Sequence, residues 1–133
     1  MTTLKIGDKA PDFSGTDQNG STVELKDFIG KKVVLFFYPK ASTPGCTAEA
    51  CDLQNNMDRF VAQNYQVIGV SADSQKRQLN FAMKNNLQYP LITDEDKIII
   101  NAYGVWGPKK FMGKEFDGIH RTTFVINEDG FIE

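Results

Sequence analysis

The sequence predicts an α/β domain in which a central β-sheet is covered by helices on both faces. Residues 32–38 contain a continuous apolar run, 33–38, that is closed by Pro39, and residues 67–71 form a second largely apolar run. Runs of this kind are typical of strands that are buried on both faces of a sheet. Each run is followed by a stretch with helical spacing, and alternating strands and helices indicate an α/β sheet. The length of 133 residues favours a single domain over residues 1–133.

Further strands are predicted on either side of these two. Residues 22–25 alternate after a Gln-Asn-Gly turn, residues 87–93 contain a strand limited by a proline, and residues 122–127 form another strand. The last residues, 131–133, begin a returning strand after a Glu-Asp-Gly turn. Three residues are fewer than the usual five or six of a strand. We therefore expect the natural protein to continue beyond Glu133.

Two longer helices are predicted between the strands. The first spans residues 46–63, with Thr43 as its N-cap and Pro44 at its first position. The second spans residues 74–86 and is expected to turn three apolar side chains inward: Leu79, Ala82 and Met83. Residues 104–118 contain four glycines, one proline and three lysines, and this composition predicts a loop.

Composition and charge argue against several classes of function. Hydrophobic residues make up 41% and charged residues 24% of the chain, and the formal net charge of −2 disfavours binding of nucleic acid. No apolar stretch is long enough to cross a membrane, and the N-terminal residues lack the apolar region of a secretory signal. We therefore expect a cytoplasmic, reducing setting, in which Cys46 and Cys51 do not form a permanent structural disulfide.

Cys46 lies where a buried strand leads into a helix. With Thr43 as the N-cap it occupies the third helical position, where first-turn N–H groups and the helix dipole favour a thiolate. The thiolate is the nucleophilic form of cysteine, and functional sites gather at the carboxyl ends of strands in α/β sheets. Position alone is equally compatible with a buried structural cysteine, because cysteine packs well as a small hydrophobic residue.

Cys51 follows five residues later, and this spacing discriminates between kinds of cysteine chemistry. It is not the Cys-x-x-Cys spacing of thiol–disulfide oxidoreductases, and Cys46, Cys51 and His120 are too few ligands for a zinc site. On one intact helix the two Cα atoms would lie roughly 8–9 Å apart, whereas a disulfide needs them within about 7 Å. Local unwinding would be required, which suits a reversible bond. The alternative is that Cys51 packs in the core.

The residues around the first cysteine carry a family resemblance. Residues 37–47 read Phe-Tyr-Pro-Lys-Ala-Ser-Thr-Pro-Gly-Cys-Thr, and this segment resembles the peroxiredoxin signature Pro-x-x-x-Thr-x-x-Cys. Residues 7–13, 104–107 and 118–126 resemble further blocks of that family. With Cys51 at its spacing, the chain is most similar to the Q-type subfamily, also called bacterioferritin comigratory protein. The resemblance implies a thioredoxin-like fold with a central mixed β-sheet and an N-terminal β extension.

The resemblance also implies roles for individual residues. It makes Cys46 the peroxidatic cysteine and Cys51 the resolving cysteine. In the family a proline shields the sulfur from water, a threonine hydroxyl lies near sulfur and peroxide, an arginine faces both, and an acidic residue orients that arginine. The matching positions are Pro39, Thr43, Arg121 and Glu49. Without the motif, these four also have structural interpretations as a strand terminator, an N-cap, a strand-end arginine and a solvent-facing helix residue.

The implied function is a thiol-dependent peroxidase that needs no metal or organic cofactor. Cys46 would attack hydrogen peroxide or an organic hydroperoxide, its sulfenic acid would condense with Cys51, and thioredoxin or a similar dithiol would reduce the disulfide. The resemblance also favours a monomer. One alternative is a thiol–disulfide oxidoreductase on the same fold, which the missing Cys-x-x-Cys disfavours. Another is a non-catalytic, chaperone-like module, which the joint presence of Pro39, Thr43, Cys46 and Arg121 disfavours.

Overall fold

The computed structural model describes residues 3–133, and the predicted alternation of strands and helices is present there. The strands are β1 (Ser14–Thr16), β2 (Thr22–Glu24), β3 (Lys32–Phe37), β4 (Tyr65–Ser71), β5 (Leu91–Thr93), β6 (Trp106–Phe111), β7 (Lys114–Ile119) and β8 (Thr122–Ile126). The helices are α1 (Pro44–Asn55), α2 (Met57–Ala62), α3 (Gln75–Asn85) and α4 (Ile98–Ala102).

Four strands form the central sheet, in the order β5–β4–β3–β8. β3 and β5 are both parallel to β4, whereas β8 is antiparallel to β3. Parallel neighbours need crossover connections, which α1 with α2 and then α3 supply. The mixed sheet that the resemblance implied is thus confirmed. Its register pairs Phe37 with Thr122, so the carboxyl end of β3 lies beside the start of β8.

The two faces of the sheet are covered by different parts of the chain. Helices α1, α2 and α3 pack on one, here called the α1 face, while α4 and the N-terminal segment pack on the other, the α4 face. Helices on both faces were predicted, and this is confirmed. Successive side chains of a strand point to opposite faces, and those of β3 and the residue after it do so: Val33, Leu35 and Phe37 on the α4 face, and Val34, Phe36 and Tyr38 on the α1 face.

The single helix predicted over residues 46–63 is wrong, because two helices meet at Asn56. The backbone of this residue departs from helical geometry, with φ −104° and ψ 10°. Its side-chain amide donates to the carbonyl of Asp52 at 2.8 Å, and its N–H bonds to the carbonyl of Leu53. An asparagine side chain that takes the carbonyl four residues back competes with the helical hydrogen bond. This competition explains the interruption.

The loop predicted over residues 104–118 is also wrong, because most of the segment forms the antiparallel hairpin β6–β7. Its two-residue turn consists of Met112 and Gly113, which both have positive φ angles, as a type I′ turn requires. β7 is exposed along most of its length. It therefore lacks the alternation of apolar and polar residues that marks a half-buried strand in a sequence.

The inward face of α3 also differs from the prediction. Met83 was expected to face the sheet but is 68% exposed, while Phe81 and Gln78 are fully buried. A buried glutamine is invisible to a hydrophobic pattern. Here its amide is satisfied, since it donates to Ser71 Oγ at 2.9 Å and to the carbonyl of Ile92 at 3.0 Å. Satisfied hydrogen bonds make the burial of a polar side chain tolerable.

The N-terminal β extension consists of β1 and β2, which form a separate antiparallel pair. The final residues return along β8, with isolated bridges between Ile126 and Ile132 and between Lys9 and Phe131. These contacts tie the two ends of the described chain together. Within residues 3–133, no helix has the length and apolar character needed to cross a membrane.

Candidate active site

Cys46 lies in the first turn of α1, beyond the carboxyl end of β3. Thr43 is the N-cap residue and Pro44 the first helical residue, as predicted. The first helical hydrogen bond joins the Thr47 N–H to the Thr43 carbonyl at 2.8 Å, so the N–H groups of Gly45 and Cys46 have no acceptor within the helix. Cys46 is 1% exposed. It is thus a buried thiol at the positive end of a helix dipole.

Arg121 reaches this thiol from the opposite end of the sequence. Because β8 is antiparallel to β3 and Thr122 pairs with Phe37, Arg121 lies just beyond the last paired residues, next to the loop that leads into α1. Its Nη2 donates to Cys46 Sγ at 3.2 Å, across 75 residues of sequence. The structure therefore brings together two residues that only the family resemblance had connected.

Glu49 lies on the other side of the same guanidinium. It follows Cys46 by three residues, which places both on one face of α1, and its Oε1 lies 3.6 Å from Arg121 Nη1. Burial raises the pKa of the Glu49 carboxyl above its ordinary value, and the charge of Arg121 offsets part of that rise. The 3.6 Å separation exceeds the usual range of a hydrogen bond. Among the described side chains, this Oε1 is the buried polar atom without a hydrogen-bond partner.

Gly45 also lies at the site, although it was not among the predicted site residues. A Cβ atom at this position would lie 3.1 Å from Arg121 Nη2, closer than a side chain normally packs. The missing side chain lets the guanidinium approach the first turn of α1. A helical glycine costs about 1 kcal/mol relative to alanine. A glycine at the second position of a predicted helix is therefore a sequence feature that could have identified Gly45.

The loop between β3 and α1 carries the other two predicted site residues, Pro39 and Thr43. Pro39 is half-buried and lies two residues beyond the end of β3. Thr43 occupies the N-cap position, but its hydroxyl makes no capping hydrogen bond to the helix. The hydroxyl instead donates to the carbonyl of Lys40 at 3.0 Å. A hydroxyl that donates one hydrogen bond keeps lone pairs that can accept others. Thr43 borders the first turn of α1 as its N-cap residue.

Asp73 anchors this loop and was not among the predicted site residues. Its buried carboxylate accepts the Ala41 N–H at 2.7 Å and the Ser71 hydroxyl at 2.8 Å. The next residue of the loop, Ser42, has a φ of 65°, a conformation that is unfavourable for a residue other than glycine and needs support from its surroundings. The sequence feature that could have identified Asp73 is a serine and an aspartate at the end of β4, on the sheet edge that also carries Cys46.

Cys51 lies in the same helix but is not part of this cluster. It is half-buried, and its Sγ donates to Asn85 Oδ1 at 3.6 Å. Both cysteines are free thiols, and α1 is continuous from Pro44 to Asn55. The structure therefore brings Cys46, Arg121 and Glu49 together and leaves Cys51 one and a half turns along the helix.

The chain matches the model of the AhpC/TSA family over residues 6–133. It is 50% identical over 133 residues to peroxiredoxin Bcp from Escherichia coli K12, which covers 100% of this chain and 85% of that protein. It is 45% identical over 132 residues to a putative peroxiredoxin bcp from Haemophilus influenzae, with 99% and 85% covered.

Solved structures of similar fold are also peroxiredoxins. A cysteine mutant of PrxQ from Xylella fastidiosa superposes with a TM-score of 0.93 at 30% identity and covers 99% of this chain and 84% of that one. The bacterioferritin comigratory protein from Xanthomonas campestris, studied for its alkyl peroxide reduction activity, superposes with a TM-score of 0.87 at 32% identity, with 99% and 84% covered. The thioredoxin-like fold is thereby confirmed. The chain belongs to the AhpC/TSA family and is a peroxiredoxin, an enzyme that reduces peroxides by means of a cysteine thiol.

Proposed function

We propose that Cys46 is the nucleophile of this peroxidase, that Cys51 resolves the oxidised form, and that Arg121 stabilises the reacting charge. The observation that carries the proposal is the 3.2 Å hydrogen bond from Arg121 Nη2 to Cys46 Sγ. A cation thus contacts a buried sulfur that also lies at the positive end of the α1 dipole. Such donors stabilise charge that develops in a transition state without having to reorganise.

In the first step, the Cys46 sulfur attacks one oxygen of a hydroperoxide. An S–O bond forms, the O–O bond breaks, and the departing oxygen takes up a proton and leaves as water or an alcohol. Negative charge moves from sulfur to the departing oxygen, and the five N–H donors of a guanidinium can contact both atoms. Glu49, 3.6 Å from Arg121 Nη1, keeps that group oriented.

Pro39 and Thr43 complete the surroundings of the sulfur in this proposal. The Thr43 hydroxyl offers lone pairs to the peroxide proton while its own proton is held by Lys40. Pro39 has no N–H group and limits the access of water to the thiolate. Because Cys46 is 1% exposed, access of a peroxide to the sulfur is restricted. Hydrogen peroxide and small organic hydroperoxides suit such a restricted approach.

In the second step, the Cys51 thiol condenses with the sulfenic acid of Cys46, giving a disulfide and water. The first turns of α1 unwind, because both cysteines lie on one continuous helix. A dithiol reductant, which we propose to be thioredoxin, then restores both thiols by exchange. No metal or organic cofactor takes part in these steps. The proposed working form is a monomer in the cytoplasm.

Peroxide consumption tests these assignments, measured with thioredoxin and its reductase and, separately, without them. Cys46→Ser should lose essentially all turnover. Given a single equivalent of peroxide, Cys51→Ala should consume it and then not be recycled by thioredoxin, with one oxygen added at Cys46 by mass spectrometry. Turnover by Cys46→Ser, or sustained thioredoxin-dependent turnover by Cys51→Ala, would contradict the assignments. Reduction of insulin disulfides without peroxide consumption would instead indicate a thiol–disulfide oxidoreductase.

A further inference from the structure

The end of α3 and the segment that joins it to β5 make three hydrogen bonds with the Cys51 half of α1. Tyr89 Oη donates to the Ala50 carbonyl at 2.9 Å. The Gln88 N–H donates to Gln54 Oε1 at 2.6 Å. Cys51 Sγ donates to Asn85 Oδ1 at 3.6 Å. Residues 85–89, here called the latch segment, therefore contact α1 on both sides of Cys51 and at Cys51 itself.

The latch segment is itself held firmly by the rest of the fold. Tyr89 is 1% exposed, and its ring lies edge-on to Phe36, with centroids 5.8 Å apart. The Gln18 amide donates to the Tyr89 carbonyl at 3.2 Å and accepts the Leu91 N–H at 2.8 Å. The Asn85 amide donates to the Phe81 carbonyl at 3.0 Å, which fixes its oxygen toward Cys51. A well-anchored segment can restrain the helix that rests on it.

We propose that Asn85, Gln88 and Tyr89 are positioning residues that keep the Cys51 half of α1 folded and so set how fast Cys51 reaches the oxidised Cys46. This inference rests on the proposed Cys46–Cys51 disulfide. Movement of Cys51 toward Cys46 breaks its bond to Asn85, and unwinding at Ala50 breaks the bond to Tyr89. Both bonds exist only while α1 is closed, so each one lowers the population of the open form.

The rate of this opening decides between two fates of the sulfenic acid. In one, Cys46–SOH and Cys51–SH form a disulfide and release water. In the other, Cys46–SOH reduces a second hydroperoxide, becomes a sulfinic acid, and releases water or an alcohol. The first reaction needs α1 to open, whereas the second proceeds in the closed form. The latch segment thus determines the peroxide concentration at which the enzyme is inactivated.

The test uses Tyr89→Phe, with Tyr103→Phe as the matched control. Tyr103 is also fully buried and donates to a backbone carbonyl, that of Pro11, at 2.7 Å on the other face of the sheet. Without the Tyr89 hydroxyl, the Ala50 carbonyl keeps its helical partner, so no buried acceptor is stranded. Loss of one hydrogen bond should raise the rate of disulfide formation roughly two- to tenfold. Gln54→Ala should act in the same direction from the helix side.

Reduced protein is mixed with one equivalent of peroxide, quenched with an alkylating agent and followed by mass spectrometry. The step that oxidises Cys46 should be unchanged in Tyr89→Phe, disulfide formation should be faster, and less sulfinic acid should form in excess peroxide. Tyr103→Phe should match the wild type in all three. Equal effects of the two tyrosine variants, or an unchanged disulfide rate in Tyr89→Phe and Gln54→Ala, would overturn the latch. If wild-type protein formed no Cys46–Cys51 disulfide, the proposed function would fail as well.

Discussion

The guanidinium of Arg121 serves two partners at once, with Nη2 on the Cys46 sulfur and Nη1 toward Glu49. A planar set of donors can hold two partners in a fixed geometry, whereas the ammonium of lysine is a compact charge on a flexible stem. The ion pair with Glu49 is partly exposed to solvent, and such pairs contribute little to stability by themselves. The ion pair instead orients the guanidinium, because Nη1 is directed toward Glu49 while Nη2 contacts the sulfur.

Replacement of Arg121 should slow the peroxide step by more than a change in ionisation explains. Loss of one charge-stabilising donor typically costs about 10²–10³-fold in rate, and we expect Arg121→Ala to lie in this range. The second-order rate constant with hydrogen peroxide, measured by stopped flow across pH, checks this. The defect should persist at high pH, where the thiolate is fully formed. Recovery of the wild-type rate by raising the pH alone would show that Arg121 acts on ionisation only.

Glu49 should make stability depend on pH in a defined direction. Burial raises the pKa of its carboxyl in the folded chain, so folded protein holds this proton more tightly than unfolded protein does. Its favourable contribution is complete below the ordinary value of about 4.3 and is lost as pH rises through the folded-state pKa. The unfolding free energy of Glu49→Gln relative to wild type should therefore increase from pH 4 to pH 7 in urea titrations. A constant or decreasing difference would contradict this sign.

The site residues were predictable from the sequence to different degrees. The position of Cys46 at a helix start follows from local patterns, since an N-cap, a proline and a buried strand precede it. Arg121 and Glu49 could be named only through the family resemblance, because no local pattern shows which distant arginine meets a thiol. Gly45 and Asp73 were missed, since their roles depend on what lies against them in three dimensions: a guanidinium in one case and the Ala41 N–H in the other.

At the scale of single elements, α1 combines two requirements that conflict. In the proposed cycle, its first turn stays folded while Cys46 reacts with peroxide, and the same turns open when Cys51 reacts with the oxidised Cys46. Helix geometry keeps the two Cα atoms roughly 8–9 Å apart in the closed form. The helix is short of apolar anchors, with Cys46 and Ala50 as its fully buried residues. It is therefore suited to local unfolding.

Oxidation should unwind α1 between residues 43 and 51. Each helical hydrogen bond lost costs about 0.5–1.5 kcal/mol net, and Ala50 becomes exposed. The disulfide form should therefore be less stable than the dithiol form, although a cross-link normally stabilises a chain. Amide hydrogen exchange of the two redox forms measures the change, with β4 as an internal reference that should stay protected in both. Equal protection of residues 43–53 in the two forms would rule the unwinding out.

The elements themselves show where patterns succeed and where they fail. β3 and β4 were predicted because a strand buried on both faces leaves an unbroken apolar run. β6 and β7 were missed because their pairing depends on a turn with positive φ angles and on backbone hydrogen bonds. β7 is mostly exposed, so it leaves no apolar pattern in the sequence. The break at Asn56 was missed because it depends on one side-chain hydrogen bond to Asp52, which competes with a helical pattern that continues past it.

At the scale of the whole molecule, the two faces of the sheet carry separate apolar clusters, and Cys46 belongs to only one of them. Cys46 and Ala50 pack on the α1 face, together with the aromatic side chains of Phe36 and Tyr38. The α4 face holds a larger apolar cluster that joins α4 to the N-terminal segment. Changes in that second cluster should alter stability without altering the chemistry at the sulfur.

Leu35→Ala tests this division. Leu35 is fully buried on the α4 face, and such deletions cost about 2–5 kcal/mol. We expect a loss of this size in urea denaturation, with the rate constant for peroxide unchanged at temperatures where the variant is folded. Met83→Ala is the matched control, since Met83 is 68% exposed and should change stability by less than about 0.5 kcal/mol. A slower peroxide step in folded Leu35→Ala would show that the two faces are coupled.

The antiparallel pairing of β8 with β3 has a consequence for the order in which the enzyme acquires its reactivity. Arg121 meets Cys46 only through this pairing, which joins residues 75 positions apart in the sequence. During synthesis the thiol emerges from the ribosome long before its arginine does. If Arg121 activates Cys46 as proposed, the nascent chain carries a less reactive cysteine until β8 has paired with β3, and full peroxidase activity follows that pairing.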